Sequence, residues 1–279
     1  MRKYRKPHRI KKKQPFFKKK YFWSTFFVFV FSVLVVYLLV FSSFFQVENI
    51  IISGNEKVSK QEIVKVIERE LAEKKLFFLE KNIFLADLNK TKEDILNEFS
   101  KVGKVRLKQV LPDTIDCIVE ERVEVATFCK DYESDNEEIR LIREECFLLD
   151  REGIVFEMVL DNNFQLPKIK SPDSENKSAI GEKVIETDLV SKILEIFSEL
   201  ENSDILIGDI LIVSEERINV RVLDGFEIYF NPKKDLYWQF TKLKAVLEKY
   251  IPLDKRKDLE YIDLRFGNLA PFKYIEKEE

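Results

Sequence analysis

"FFQVENIIISGNEKVSKQEIVKVIEREL", residues 44–71, changes its hydrophobic period halfway along, and that change sets the fold class. Val47 to Ile52 is rich in β-branched residues, which suit a pleated, half-buried strand. Gly54 and Asn55 supply turn conformations, and Ser59 with Glu62 has the spacing of a helix capping box. Ile63, Val66, Ile67 and Leu71 then recur at intervals of three and four, which puts them on one face of a helix. The segment reads as strand, tight turn, helix.

Outward toward the C-terminus, Leu88, Ile95, Leu96 and Phe99 mark a second helix. "GKVRLKQVLPDTIDCIVEERVEVATF" (103–128) then alternates as two strands around a turn carrying Pro112 and Asp113. The order is strand, helix, helix, strand, strand. Beyond it, Asp188–Leu200 carries the apolar stripe Leu189, Ile193, Ile196, Phe197 and Leu200. Lys234–Tyr250 carries Leu236, Phe240, Leu243, Leu247 and Tyr250. Strand runs surround these two helices: Phe147–Val155 turning at Gly153, Ile205–Val213, Ile218–Leu223, and Phe226–Phe230 after an Asp224-Gly225 turn. "KDYESDNEEIR" (130–140) and "KSPDSENKSAIGEK" (170–183) read as solvated loops.

Outward toward the N-terminus, Tyr21–Val47 contains no charged residue and spans roughly 40 Å as a helix, against roughly 30 Å of bilayer hydrocarbon. Ahead of it, residues 1–20 hold eleven Lys or Arg and no Asp or Glu. Removing these eleven from the 47 basic residues leaves 36 against 50 acidic ones, so the remainder carries a formal charge of −14. Basic residues beside a span place that side in the cytoplasm, and the aromatic residues at both ends suit the two interfaces. A secretory signal peptide shares the basic start, but its apolar run is shorter and ends at a small-residue site, for which only "VFSS" (40–43) offers a weak match. A single span fits better. The basic cluster is accounted for by topology and anionic lipid, so no nucleic acid is expected.

Chemistry-bearing patterns are missing from the ectodomain sequence. His8, in the basic tail, is the single histidine, and neither a phosphate-cradling G-x-x-x-x-G-K-[ST] nor a G-x-S-x-G occurs. Glu120-Glu121 and Glu215-Glu216 are sequence neighbours, and adjacent strand residues face opposite sides, so neither makes an acid/base couple. Cys117, Cys129 and Cys146 form no metal-ligand pair, Cys117 alternates with Ile115 and Val119 as a buried apolar residue, and no disulfide is assigned. The expectation is a protein that binds rather than catalyses, with no cofactor or metal.

The strand-GN-helix unit, "NIFLADLNK" (82–90), "GKVRLKQVLPDTI" and "EERVEVA" together resemble the polypeptide-transport-associated (POTRA) domain of the bacterial cell-division family FtsQ/DivIB. "LLDREGIVF" (148–156) resembles the hairpin that opens that family's β domain, and "YIDLRFGNLAPF" (261–272) its closing strand. An outer-membrane assembly factor also carries POTRA domains, but a barrel of many alternating strands should follow, and two helices stand here instead. The resemblance implies an α+β protein: a basic cytoplasmic tail (1–20), a transmembrane helix (21–45), a βααββ POTRA domain (46–122), and a mixed β-sheet domain with two main helices (123–279). It implies a single-pass protein of the inner or plasma membrane, with its ectodomain outside and its place at the division septum.

In "EYIDLRFGN", alternation puts Tyr261, Asp263 and Arg265 on one side and Ile262, Leu264 and Phe266 on the other, so one side joins the core. Residues alone favour an ordinary paired strand; an edge open to a partner is the other reading. The resemblance implies the second. In the family this segment docks FtsB (DivIC), which assembles with FtsL, both being small single-span coiled-coil proteins. The implied partner-binding residues are Arg265, Phe266, Gly267, Asn268, Leu269, Phe272 and Tyr274, with Arg265 offering a planar fork to a partner carboxylate and Phe266 an apolar anchor. A tyrosine commonly follows the arginine in the family, and Phe266 lacks its hydroxyl. Other division proteins are implied at the POTRA domain. Two alternatives stay open: a POTRA-bearing chaperone or translocation component that captures extended polypeptides, and a cell-wall enzyme.

Overall fold

The computed structural model describes residues 20–72, 81–133, 142–159, 166–171 and 180–276. The basic tail up to residue 19 lies outside them, as do 134–140 and 172–179 of the two expected loops.

The apolar run folds as one helix, α1 (Lys20–Phe41), of which Tyr21–Phe41 is long and apolar enough to cross a membrane. It ends short of the expected residue 45. Ser42 caps a 3₁₀ turn over Ser43–Phe45 by accepting the Phe44 N–H, and the chain leaves the helix there.

Two compact units follow from the pattern of packing. The first joins the chain up to Ser53 with Ser59–Asp94 and Arg106–Ile118; the second joins Gly54–Val58, Ile95–Val105 and Val119–Glu279. The period change in 44–71 is realised as β1 (Asn49–Ser53) and α2 (Lys60–Ala72), whose Ile63, Val66, Ile67 and Leu71 are buried. After α3 (Leu88–Glu98) come β2 (Val102–Val110) and β3 (Thr114–Glu121), which with β1 make a three-stranded sheet in the order β1-β3-β2. β1 runs parallel to β3, with Asn49 opposite Thr114 and Ser53 opposite Ile118. This is the expected βααββ unit. Gly54 has a φ of 81°, and a β-carbon there would run into the Val119 carbonyl, so the "GN" turn demands glycine. Next to it, the Glu121 carboxylate accepts the N–H groups of Glu56, Lys57 and Val58 at 2.8–2.9 Å. Burial alone would raise the Glu121 pKa, but those three amides and Lys57 hold it below the ordinary carboxylate value.

The nine-stranded mixed sheet is built from β4 (Ala126–Glu133), β5 (Ile142–Leu149), β6 (Val155–Val159), β7 (Lys168–Lys170), β8 (Ile207–Ser214), β9 (Arg217–Val222), β10 (Glu227–Phe230), β11 (Leu259–Asp263) and β12 (Phe272–Tyr274). Its order is β12-β11-β10-β9-β8-β7-β4-β5-β6. α4 (Thr187–Asn202) and α5 (Leu236–Lys249) bury Ile193, Ile196, Leu200, Leu243 and Leu247 in one cluster with Ile210, Val220, Ile228 and Ile262 of the sheet. Tyr250, expected on the α5 stripe, stands exposed just past the helix. In the first expected loop, Lys130 to Glu133 belong to β4.

Two features of the sheet correct or sharpen the sequence reading. Cys129 and Cys146 face each other directly across β4 and β5, with Cα atoms 4.1 Å apart, and form a disulfide. Cys117 is buried, as its alternation implies, and is a free thiol. Glu144 lies beside the pair, but two sulfurs already bonded to each other offer no thiolate to a metal. At the β5–β6 hairpin, Gly153 has a φ of 82° and a β-carbon there would strike the Ile185 carbonyl, so the turn demands glycine. Asp150 accepts the N–H groups of Glu152 and Ile154, and the guanidinium of Arg122 ion-pairs with its other oxygen.

Candidate functional site at the carboxy-terminal edge

β11 runs parallel to β10 on one side and antiparallel to β12 on the other. Tyr261–Asp263 is therefore an inner strand, and the sheet edge is Phe272–Tyr274. The Asp263 N–H donates to Pro271 O at 2.8 Å and the Ile275 N–H to Asp258 O at 2.7 Å, so residues 271, 273 and 275 turn their backbone groups toward β11. The alternate residues, Phe272 and Tyr274, turn theirs to the open side. Their rings pack partly into the core, one edge-on to the other at 5.8 Å between centroids.

The segment between the two strands is shaped by α5. Lys234, just ahead of the helix, donates to Arg265 O at 2.9 Å, and Trp238 Nε1 donates to Gly267 O at 3.1 Å. Lys242, buried along its length, donates from Nζ to Leu264 O at 2.5 Å, Phe266 O at 2.7 Å and Leu269 O at 3.1 Å. All three ammonium protons thus meet carbonyls of one loop. Burial, reinforced by the nearby charge of Lys234, pushes the Lys242 pKa below the ordinary lysine value against the pull of Asp263.

With its backbone held from within, the loop turns its side chains out. Phe266 is 52% exposed and Leu269 71%, while Gly267 and Asn268 are open to solvent. The expected alternation holds for Ile262 and Leu264, both buried, and fails at Phe266 because the strand ends at Asp263. Arg265 also departs from expectation. Its fork is filled by Asp263, Nε to Oδ1 at 2.9 Å and Nη2 to Oδ2 at 2.6 Å, and its charge lies over the Tyr229 ring at 5.6 Å. Of the seven expected residues, Phe266, Gly267, Asn268 and Leu269 form an exposed loop with two apolar side chains, Phe272 and Tyr274 form the edge, and Arg265 braces the loop. Lys242 and Trp238 were missed. A lysine and a glutamine, Lys242 and Gln239, within an otherwise apolar helical face were the signal available.

Glu121 caps the 54–58 turn, Glu120 lies 3.9 Å from Lys104, and Glu215 pairs with Lys233 at 2.5 Å.

Comparison with known families matches residues 45–122 to the POTRA domain of FtsQ type and residues 141–265 to the C-terminal region of cell division protein FtsQ/DivIB. The chain belongs to the FtsQ/DivIB family. It is a cell-division protein, of a family that works through protein–protein contacts within the division machinery. No curated protein matches the chain. The FtsQ/DivIB match ends at Arg265, so the exposed loop and the β12 edge lie just past it.

Proposed function

We propose that the protein is a single-pass scaffold of the bacterial divisome, with its N-terminus in the cytoplasm and its ectodomain outside. In this reading residues 46–122 form the POTRA domain, which meets other division proteins, and residues 123–279 form the β domain. Single-span coiled-coil partners of the FtsB/DivIC and FtsL type dock at β12 and the loop ahead of it, bringing septum formation to one place. The protein organises other proteins and is not itself an enzyme. The observation that carries the reading is the succession, in one chain, of an apolar helix, an FtsQ-type POTRA domain and an FtsQ/DivIB C-terminal region.

The edge geometry supports a docking mode. An edge strand with outward N–H and C=O groups accepts a partner strand, and neighbouring apolar side chains set specificity. Phe266, Leu269 and Ile275 are exposed around β12. Arg265, already held by Asp263, braces the loop and is not the group a partner carboxylate would meet first.

Calorimetry on the full chain in lipid nanodiscs tests the reading, with the extracytoplasmic segment of the same organism's FtsB-like protein as titrant. Saturable one-to-one binding, with none to a panel of unrelated extended peptides, is the expected result. Weak binding to many such peptides and no preference for the FtsB-like segment would move the chaperone reading to the front.

A further inference from the structure

The last turn of a transmembrane helix leaves carbonyls without intrahelical partners at the depth where water thins out. α1 has about 33 Å of length at 1.5 Å per residue, close to the hydrocarbon thickness, so its end at Phe41 falls at the interface. There, two of its carbonyls are met by a side chain from farther along the same compact unit. Asn82, 3% exposed, donates from Nδ2 to Leu39 O at 3.1 Å and Val40 O at 2.9 Å, and its Oδ1 accepts the Phe84 N–H at 2.9 Å. Every hydrogen of that amide is engaged in fixing the 3₁₀ turn Ile83–Leu85 against the helix end.

Further bonds draw the rest of that end of the unit to the same level. The Val47 N–H donates to Lys81 O at 2.8 Å, and the Phe45 and Phe84 rings lie 5.2 Å apart. The β2–β3 hairpin is tied at both shoulders: Gln109 donates to Ile83 O at 2.6 Å, and Asp113 O accepts the Glu48 N–H at 3.0 Å. The hairpin tip between those shoulders is apolar, and it is exposed. Phe44 is 65% exposed, Phe84 44%, Val110 42% and Leu111 58%.

We propose that Phe44, Phe84, Val110 and Leu111 form a rim that seats in the headgroup layer of the bilayer crossed by α1, docking the rest of the first unit on the membrane. The proposal rests on α1 spanning the membrane. What covers this apolar surface follows from its continuity with the helix end: groups bonded within a few residues of Phe41 lie where the lipid interface lies. Phe and Leu side chains bury at the boundary between headgroups and acyl chains, and an apolar rim of modest area binds there weakly by itself but adds to an existing anchor. Asn82 then works as the hinge pin, satisfying helix carbonyls and fixing the rim's height together.

The test uses the full chain in vesicles of phosphatidylethanolamine and phosphatidylglycerol, in a Cys117→Ala background with the disulfide intact. Single reporter cysteines carry an environment-sensitive fluorophore at Phe84→Cys and Leu111→Cys on the rim, at Gln61→Cys in the first turn of α2, and at Leu34→Cys in α1. Lipids carrying a nitroxide near the headgroup or near the bilayer centre act as quenchers. Quenching at 84 and 111 by the shallow nitroxide about threefold above that at 61 is the expected result, with 34 quenched by the deep one. Shallow quenching at 84 and 111 no greater than at 61, while 34 is quenched deeply, overturns the rim and leaves the span standing. No quenching at 34 removes the span, and the rim with it.

Discussion

Asp263 and Arg265 form a closed pair: both carboxylate oxygens of Asp263 are taken by the guanidinium of Arg265, and Oδ1 accepts the Arg265 backbone N–H at 3.0 Å as well. A fork engaged this way positions the chain. It fixes the corner where β11 ends and the exposed loop begins, so the loop's presentation depends on the charge of Asp263.

That dependence has a sign. Burial alone would raise the Asp263 pKa, but Arg265 outweighs it and holds the carboxyl below its ordinary value. A depressed native pKa contributes stability that is present above the ordinary carboxylate range and is lost as pH falls through the native value. Amide exchange in residues 264–270 should therefore quicken relative to the core on acidification below about pH 4. Asp263→Asn should show the quickened exchange already at neutral pH and little further change in acid.

Lys242 holds three loop carbonyls from beneath. Lys242→Met keeps much of the stem's packing and removes the ammonium, leaving Leu264, Phe266 and Leu269 carbonyls without their donor. A cost of about 2–3 kcal/mol is expected in urea unfolding, with the exchange increase concentrated in 264–270.

The disulfide closes a chain separation of 17 residues. Constraint of the unfolded chain over a loop of that size is worth about 3 kcal/mol on the entropic model. Cys129→Ala with Cys146→Ala should lower the melting temperature, and reductant should lower that of the wild type but not of the double variant. Alkylation of the unfolded, unreduced chain should label one thiol, Cys117, and reduction should expose the other two.

Arg122 donates from Nε to Ser100 O at 3.0 Å and pairs with Asp150 and, at 3.3 Å, with Glu152. Arg122→Met would leave the buried Asp150 without its counter-charge. Breaking such a pair costs about 3–5 kcal/mol, and Asp150→Asn in the same chain should recover part of it. Chemical unfolding of the two single variants and the double variant gives the coupling directly.

Much of this architecture could be read locally. The α2 stripe, the "GN" turn at Gly54, the Gly153 hairpin and the Asp224-Gly225 turn each depend on residues a few positions apart, and each stands where expected. What escaped depends on partners distant in sequence. Cys129 meets Cys146 only because β4 and β5 adopt one register, and no spacing rule specifies that register in advance. The Lys242 ammonium makes sense only once the 264–269 loop is folded over α5. Strand alternation puts Phe266 on the core side, but the strand stops at Asp263, and the Arg265 guanidinium is taken up by Asp263 two residues back, which alternation along one strand does not reveal.

In the proposed docking mode a partner strand adds to β12. Hydrogen exchange at the Phe272 and Tyr274 amides, followed in the full chain with and without a saturating FtsB-like segment, reads it most directly. Strand addition predicts that both amides slow by about tenfold or more on binding, since each gains a ladder partner at the formerly open edge. Saturable binding that leaves both amides unchanged would contradict it and place the docking surface elsewhere on the chain.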